Sequence, residues 1–160
     1  MNFYGSARSN FFKVKDPEGF EAWALERALV VLESRLNPGS YAVFPNPDKG
    51  EDGCWPTSVT LIPPEGLDED ARYDWLEAAG ADEMEQVEID VPSALAEQLA
   101  EGEIAVLMQA GSEGLRYVSG HATAVAWDGR EVDIDLVDIY KLAATTFGVL
   151  PGSINSAEAE

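Results

Sequence analysis

The chain carries one cysteine, one histidine and only 10 lysines and arginines among 160 residues. Each scarcity excludes something. A lone Cys54 forms no internal disulfide, whereas small secreted domains normally carry an even set, so an intracellular, cytoplasmic setting is expected. Cys54 and His121 together are too few soft ligands for a zinc site unless carboxylates complete it. A protein that grips DNA or RNA neutralises phosphates with clustered Lys and Arg, and ten bases against 30 acids leave no such cluster, so direct nucleic-acid binding is not expected. Long apolar runs are also missing. The longest, such as ALVVL from Ala28 to Leu32, fall far short of a membrane span, and MNFYGSARSN at the N-terminus lacks the apolar stretch of a signal peptide. No membrane association is expected.

What is abundant is negative charge, −20 in total. Its distribution is uneven. Residues 1–47 hold five acids and five bases, residues 48–103 hold 17 acids and two bases, and residues 104–160 hold eight acids and three bases. Adaptation to high salt would acidify the whole surface, so the balanced N-terminal segment argues for a localised acidic face, with solubility as the plain alternative. Such a face repels itself and weakens the compact state. Hydrophobic content of 46% with four Trp, five Tyr and six Phe nevertheless supplies a core, and a chain of this size buries roughly two-thirds of its surface on folding.

The patterns predict an α+β fold, mainly antiparallel, as a single domain over residues 1–150 with a frayed tail at 151–160. NFFKVK (10–15) alternates as a strand with Phe12 and Val14 on one face. Asp16-Pro17 opens a helix carrying Phe20, Trp23 and Ala24 to about Arg27. LVVLESRL, the turn Asn37-Pro38-Gly39-Ser40 and YAVF read as a hairpin, and Cys54 to Ile62 as a third strand of that sheet. Asp68 caps a helix with Tyr73, Leu76 and Ala79 that Gly80 ends. Val87, Ile89 and Val91 alternate as a short strand, and Leu95 and Leu99 mark a small helix that Gly102 closes. Ile104 to Ala110 is apolar on both faces and reads as a central strand. Leu115 to Trp127 reads as a long strand, followed by an Asp128-Gly129 hairpin turn and an edge strand with Asp133 and Asp135 outward. A last helix carries Leu136, Ile139, Tyr140, Ala143 and Phe147, with Gly148 and Pro151 as stops.

No catalytic signature stands out and no cofactor is expected. Neither LDEDARYDWLEA nor EVDIDLVDIY meets the EF-hand pattern, no glycine-rich phosphate loop is present, and His121 reads as a structural residue in mid-strand. The acidic segment carries the sharper reading. Asp68, Glu69, Asp70, Asp74, Glu77, Asp82, Glu83, Glu85, Glu88 and Asp90 would act as surrogate phosphates facing a basic nucleic-acid-binding protein or nuclease, with Trp75 and Tyr73 as apolar anchors. Charge steering would make association fast and salt-sensitive. A second, separate site on Arg8, Asn10 and Lys13 is the competing use of the N-terminal residues, against a packing role that ties the N-terminus to the sheet.

The segment Phe3 to Trp23, with Gly5, Arg8, Ser9, Asn10, Phe11, Phe12, Lys13, Val14, Lys15 and Asp16, resembles small acidic accessory proteins of bacterial plasmids, prophages and integrative elements. The resemblance continues through residues 103–125 and 135–143 and skips the acidic middle. It implies a genomic setting, a mobile element exposed to host nucleases, rather than a reaction. Three functions follow as expectations. The first is a non-enzymatic, DNA-mimic inhibitor of anti-restriction or other anti-defence type. The second is an immunity or antitoxin protein for one basic nuclease, and the third a carboxylate-dependent metal enzyme.

Overall fold

The computed structural model describes residues 3–49, 53–82, 84–114 and 117–155. They form an α+β fold of three antiparallel sheets and four α-helices. The principal sheet has the order β1 (Phe3–Ser9), β6 (Ile104–Glu113), β7 (Tyr117–Ala126), β8 (Glu131–Asp135). A hairpin of β2 (Leu29–Glu33) and β3 (Tyr41–Pro45) and a shorter pair, β4 (Ser58–Thr60) with β5 (Gln86–Glu88), complete the strands. The helices are α1 (Pro17–Leu25), α2 (Glu69–Ala78), α3 (Val91–Ala96) and α4 (Asp138–Phe147).

Local chemistry explains the helix ends. The Asp16 carboxylate accepts from the Gly19 N–H at 3.2 Å, with Pro17 in the first helical position. α4 stops at Gly148, whose φ of 68° is a left-handed conformation that costs a residue with a Cβ more.

The core lies on one face of the principal sheet. Ala105 and Leu107 of β6 and Val125 of β7 are buried there beneath Val91 and Leu95 of α3, with Leu99 just beyond it. Phe20 of α1 extends this cluster. Its ring stacks on Trp23 at 5.4 Å and meets Phe12 edge-on at 6.1 Å and Tyr41 at 5.8 Å.

Two expected strands are corrected. Residues 10–15 alternate as anticipated, Phe12 and Val14 buried and Phe11, Lys13 and Lys15 exposed, yet they make only isolated bridges, Phe12 to Tyr41 and Val14 to Leu99. The N-terminal strand lies earlier, at Phe3–Ser9. Asn10 causes the departure: its side-chain amide donates to the Ile104 carbonyl at 3.1 Å and its Oδ1 accepts from the Val106 N–H at 2.7 Å, so a side chain takes the place of the next backbone rung. Replacing Asn10 by Ala leaves those two strand groups without their partner. The expected loss is about 1–2 kcal/mol, read from urea unfolding, with Asn10→Asp recovering only the Val106 bond.

The second correction concerns Cys54 to Ile62. Only Ser58–Thr60 is a strand, and it pairs with β5 rather than with the β2–β3 hairpin. The preceding Trp55 N–H is held by the Gln109 side chain of β6 at 2.9 Å, which anchors the segment to the principal sheet before β4 begins. Ile104–Glu113 is the central strand expected, but only one of its faces is covered: Ile104 and Met108 remain 51% and 56% exposed.

Candidate functional site

The acidic candidates cluster on α2 and the strand pair beside it. Asp68 caps α2, accepting from the Ala71 N–H at 2.8 Å. Glu69 and Asp70 then sit in the first turn, where the N-terminal partial positive charge favours them. The helix has no fully buried residue. At about 100° per residue, Asp70, Asp74 and Glu77 fall on one side, and Trp75 and Leu76 on the other. Burial agrees, because Trp75, Leu76 and Ala71 are half-buried while Asp70, Asp74 and Glu77 are exposed.

That geometry divides the candidates. Glu69, Asp70, Asp74 and Glu77 on α2, and Glu88 on β5, are exposed and make no side-chain hydrogen bond or ion pair among the described residues. Three others hold the backbone. Besides Asp68 at the start of α2, Asp90 caps α3 through the Ser93 N–H at 3.3 Å. Asp82 accepts from the N–H groups of both Met84 and Gln86 at 2.9 Å. Glu85 is neutralised by Arg72 and has a positive φ of 63°. Glu83 lies outside the described residues. The aromatic assignment also changes. Trp75 braces the helix against the protein, and Tyr73, 67% exposed, is the ring that shares the acidic side.

A pair of substitutions separates the two kinds of carboxylate. Asp82→Ala removes the acceptor of two loop N–H groups and is expected to destabilise by about 1–2 kcal/mol, whereas Asp74→Ala is expected to stay within about 0.5 kcal/mol. Chemical denaturation of both variants checks this.

The N-terminal candidates do not converge. The Arg8 guanidinium lies 5.3 Å from the centre of the Phe44 ring, and its Nε donates to the Ser9 carbonyl at 3.2 Å. Asn10 is spent on β6, as described above. Lys13 is exposed, and its backbone N–H donates to the Glu103 carboxylate at 3.1 Å. Packing accounts for the first two.

One polar chain has no counterpart in the sequence reading. His121 Nδ1 is 3.0 Å from Asp135 Oδ1, and His121 Nε2 is 2.9 Å from Thr123 Oγ1. With the proton on Nδ1, the ring donates to Asp135 and accepts from the Thr123 hydroxyl. His121 and Asp135 are directly opposed across β7 and β8, so the contact locks the edge strand in register. Alternation marks these residues as sharing faces, but the pairing of strands is needed to bring them together. The adjoining turn has an ion pair of its own. The Arg130 guanidinium, hydrogen-bonded to Asp128 at 2.8 Å, holds that carboxyl below the usual carboxylate range.

Among the described residues, no group of three or more His, Cys, Asp or Glu side chains is placed to hold a metal ion, and no helix is long and apolar enough to cross a membrane. The surface that α2 offers is therefore electrostatic: carboxylates without partners, a tyrosine between them and one internally paired arginine. No protein-family model, curated protein or solved structure matches the chain.

Proposed function

We propose that the protein is a non-enzymatic inhibitor that docks a basic nucleic-acid-handling protein through the acidic side of α2, presenting carboxylates where that partner expects phosphates. The observation that carries this reading is the set Asp70, Asp74 and Glu77, exposed together on one side of a helix and unpaired by any base among the described residues. Four carboxylates lie along α2, whose ten residues span about 15 Å. The three that share one side are spaced by about 5 Å on average, of the same order as the roughly 3.4 Å per phosphate of one DNA strand but sparser. Tyr73 supplies an apolar contact of the kind enriched at interface centres. The mobile-element setting implied by the N-terminal motif is one in which a restriction or other anti-invader nuclease is a natural target.

The test is affinity capture from a bacterial host lysate with the tagged protein, at 0.05 and 0.5 M NaCl, with and without excess duplex DNA. A DNA-mimic inhibitor retains nucleic-acid-processing proteins at low salt and loses them to the competing duplex. Retention of one nuclease that duplex DNA fails to displace would favour a dedicated immunity protein. Capture that is indifferent to salt would sink the electrostatic reading.

A further inference from the structure

The principal sheet has a second face, opposite the core, and none of the described elements covers it. Register assigns its residues. Arg8, Met108, Ala122 and Ile134 form one row across the four strands, because each is directly opposed to the next. Val106, Ala124 and Val132 form the adjacent row. Ser6, Ala110 and Gly120 form a third, closed by Leu136, whose N–H donates to the Gly120 carbonyl at 3.0 Å. In a chain with 30 acids, none of these positions holds a carboxylate, and Arg8 is the one charged residue among them. The three carboxylates of β8, Glu131, Asp133 and Asp135, all fall on the opposite parity.

The rows enclose a shallow trough of about 310 Å³, floored by Ala110, Gly120 and Ala122 and walled by Met108, Ile134 and Leu136, with Arg8, His121 and Asp135 also lining it. Gly120 makes the floor low on the Leu136 side, where an added Cβ would come within 2.8 Å of that side chain. α4 begins two residues after Leu136, and among the described residues nothing covers several of its apolar side chains. Ile139, Leu142 and Phe147 are 57%, 61% and 75% exposed, and the helix packs chiefly against the short 3-10 turn Pro151–Ser153 that follows it. On the sheet face, Met108, Val132 and Ile134 are 56%, 64% and 62% exposed. Six large apolar side chains, each more than half exposed, thus lie on this sheet face and on the helix that follows its last strand.

We propose that this face is a self-association surface: two copies pair about a two-fold axis, each laying its α4 stripe into the other's trough, with Phe147 as the inserted side chain. An isologous interface needs one patch that carries both knob and hole, and here Leu136 is at once a wall of the trough and the residue that leads into α4. Charge selects the same occupant. Two chains of net charge −20 approach at least cost where the register positions hold no carboxylate, and the one carboxylate that lines the trough, Asp135, is engaged by His121. This pairing is independent of α2, so it goes beyond the inhibitor reading and survives its failure.

Sedimentation equilibrium of the full chain at about 1–100 μM, in 0.05 and 1 M NaCl, tests it. The expected result is a dimer of the 17.3 kDa chain, tighter at high salt because screening removes the net repulsion while apolar burial remains. Ile134→Glu, which blocks the trough, and Phe147→Asp, which removes the knob, should each weaken association at least 100-fold. Thermal unfolding of each is followed by circular dichroism, and Met108→Glu replaces Ile134→Glu if that variant does not fold. Mixing the two variants should restore part of the association, since one intact knob and one intact trough then meet. A monomer at 100 μM in 1 M NaCl, a dimer indifferent to both substitutions, or mixing without rescue would each overturn the proposal. A face that binds apolar vesicles or an unrelated protein while the chain stays monomeric would overturn it as well.

Discussion

Replacing Phe20 by Ala is expected to lower the unfolding free energy by about 3–5 kcal/mol, the usual range for emptying a buried phenyl site. Phe20 is 1% exposed, and its ring is where three parts of the chain meet. Trp23 belongs to the same helix, Phe12 to the segment that leaves the sheet at Asn10, and Tyr41 to β3. The neighbouring rings relax into the space only in part, because Phe12 is itself 1% exposed and two backbone bonds tie its main chain to that of Tyr41. The cavity therefore persists and its cost adds to the lost transfer energy. With total stabilities of about 5–15 kcal/mol for ordinary domains, roughly a fifth or more of the margin disappears. For a chain of this length the midpoint should fall by roughly 10 °C or more. Calorimetry or urea unfolding reads it, and a loss under about 1 kcal/mol would mean that the α1 cluster is not part of the cooperative core. Phe20→Leu, which keeps most of the volume, should recover more than half.

The triple reversal Asp70→Lys, Asp74→Lys, Glu77→Lys is expected to do the opposite: leave folding intact and remove association with a basic partner. The three carboxylates are exposed and support no backbone group, so reversing them should change stability by less than about 1 kcal/mol. The end effects oppose each other, since Glu77→Lys complements the helix dipole in the last turn while Asp70→Lys opposes it in the first. The effect on docking is much larger. Each reversal replaces an attraction by a repulsion, and close interfacial charge pairs couple by about 1.5–7 kcal/mol. Three at the low end already amount to a fall of at least 1,000-fold in affinity at low salt. Titration calorimetry or surface binding against the captured partner measures this, with circular dichroism as the folding check. Reversal of Asp68, Asp82 and Asp90 would not be interpretable in the same way, because those carboxylates hold helix starts and a loop. Unchanged capture by the α2 triple variant would assign the acidity to solubility and leave Tyr73 without a partner to contact.

The sheet-face pairing and the α2 docking surface answer salt in opposite senses. Apolar pairing of two acidic chains strengthens as charge is screened, and docking of a basic partner weakens. A single salt series read by both mass and capture thus separates the two surfaces without any substitution.

The sequence by itself determined the pieces whose causes are local. Asp16-Pro17 starts α1 and Asp68 starts α2, because a short carboxylate satisfies helix N–H groups three residues away. Asn37-Pro38-Gly39-Ser40 returns β2 onto β3, because turn chemistry acts within a few residues. The alternation that placed Phe12 and Val14 inside and Lys13 and Lys15 outside held even though the expected strand is not one, since burial follows side-chain parity and not the hydrogen-bond partner. The concentration of acids in residues 48–103 was also plain from counting. Tertiary structure alone decided the rest. That β4 pairs with β5, that Asn10 substitutes for a rung of β6 and that His121 meets Asp135 depend on which distant segments become neighbours, a choice made by the whole core. Trp75 and Tyr73 are two residues apart and both aromatic, so only the placement of α2 against the protein turned one inward and the other among the carboxylates. The acid-free sheet face was invisible for the same reason. A strand reveals two sides, but register across four strands is required to gather one side of each into a single surface, and packing is required to show that the other side is the one the core covers.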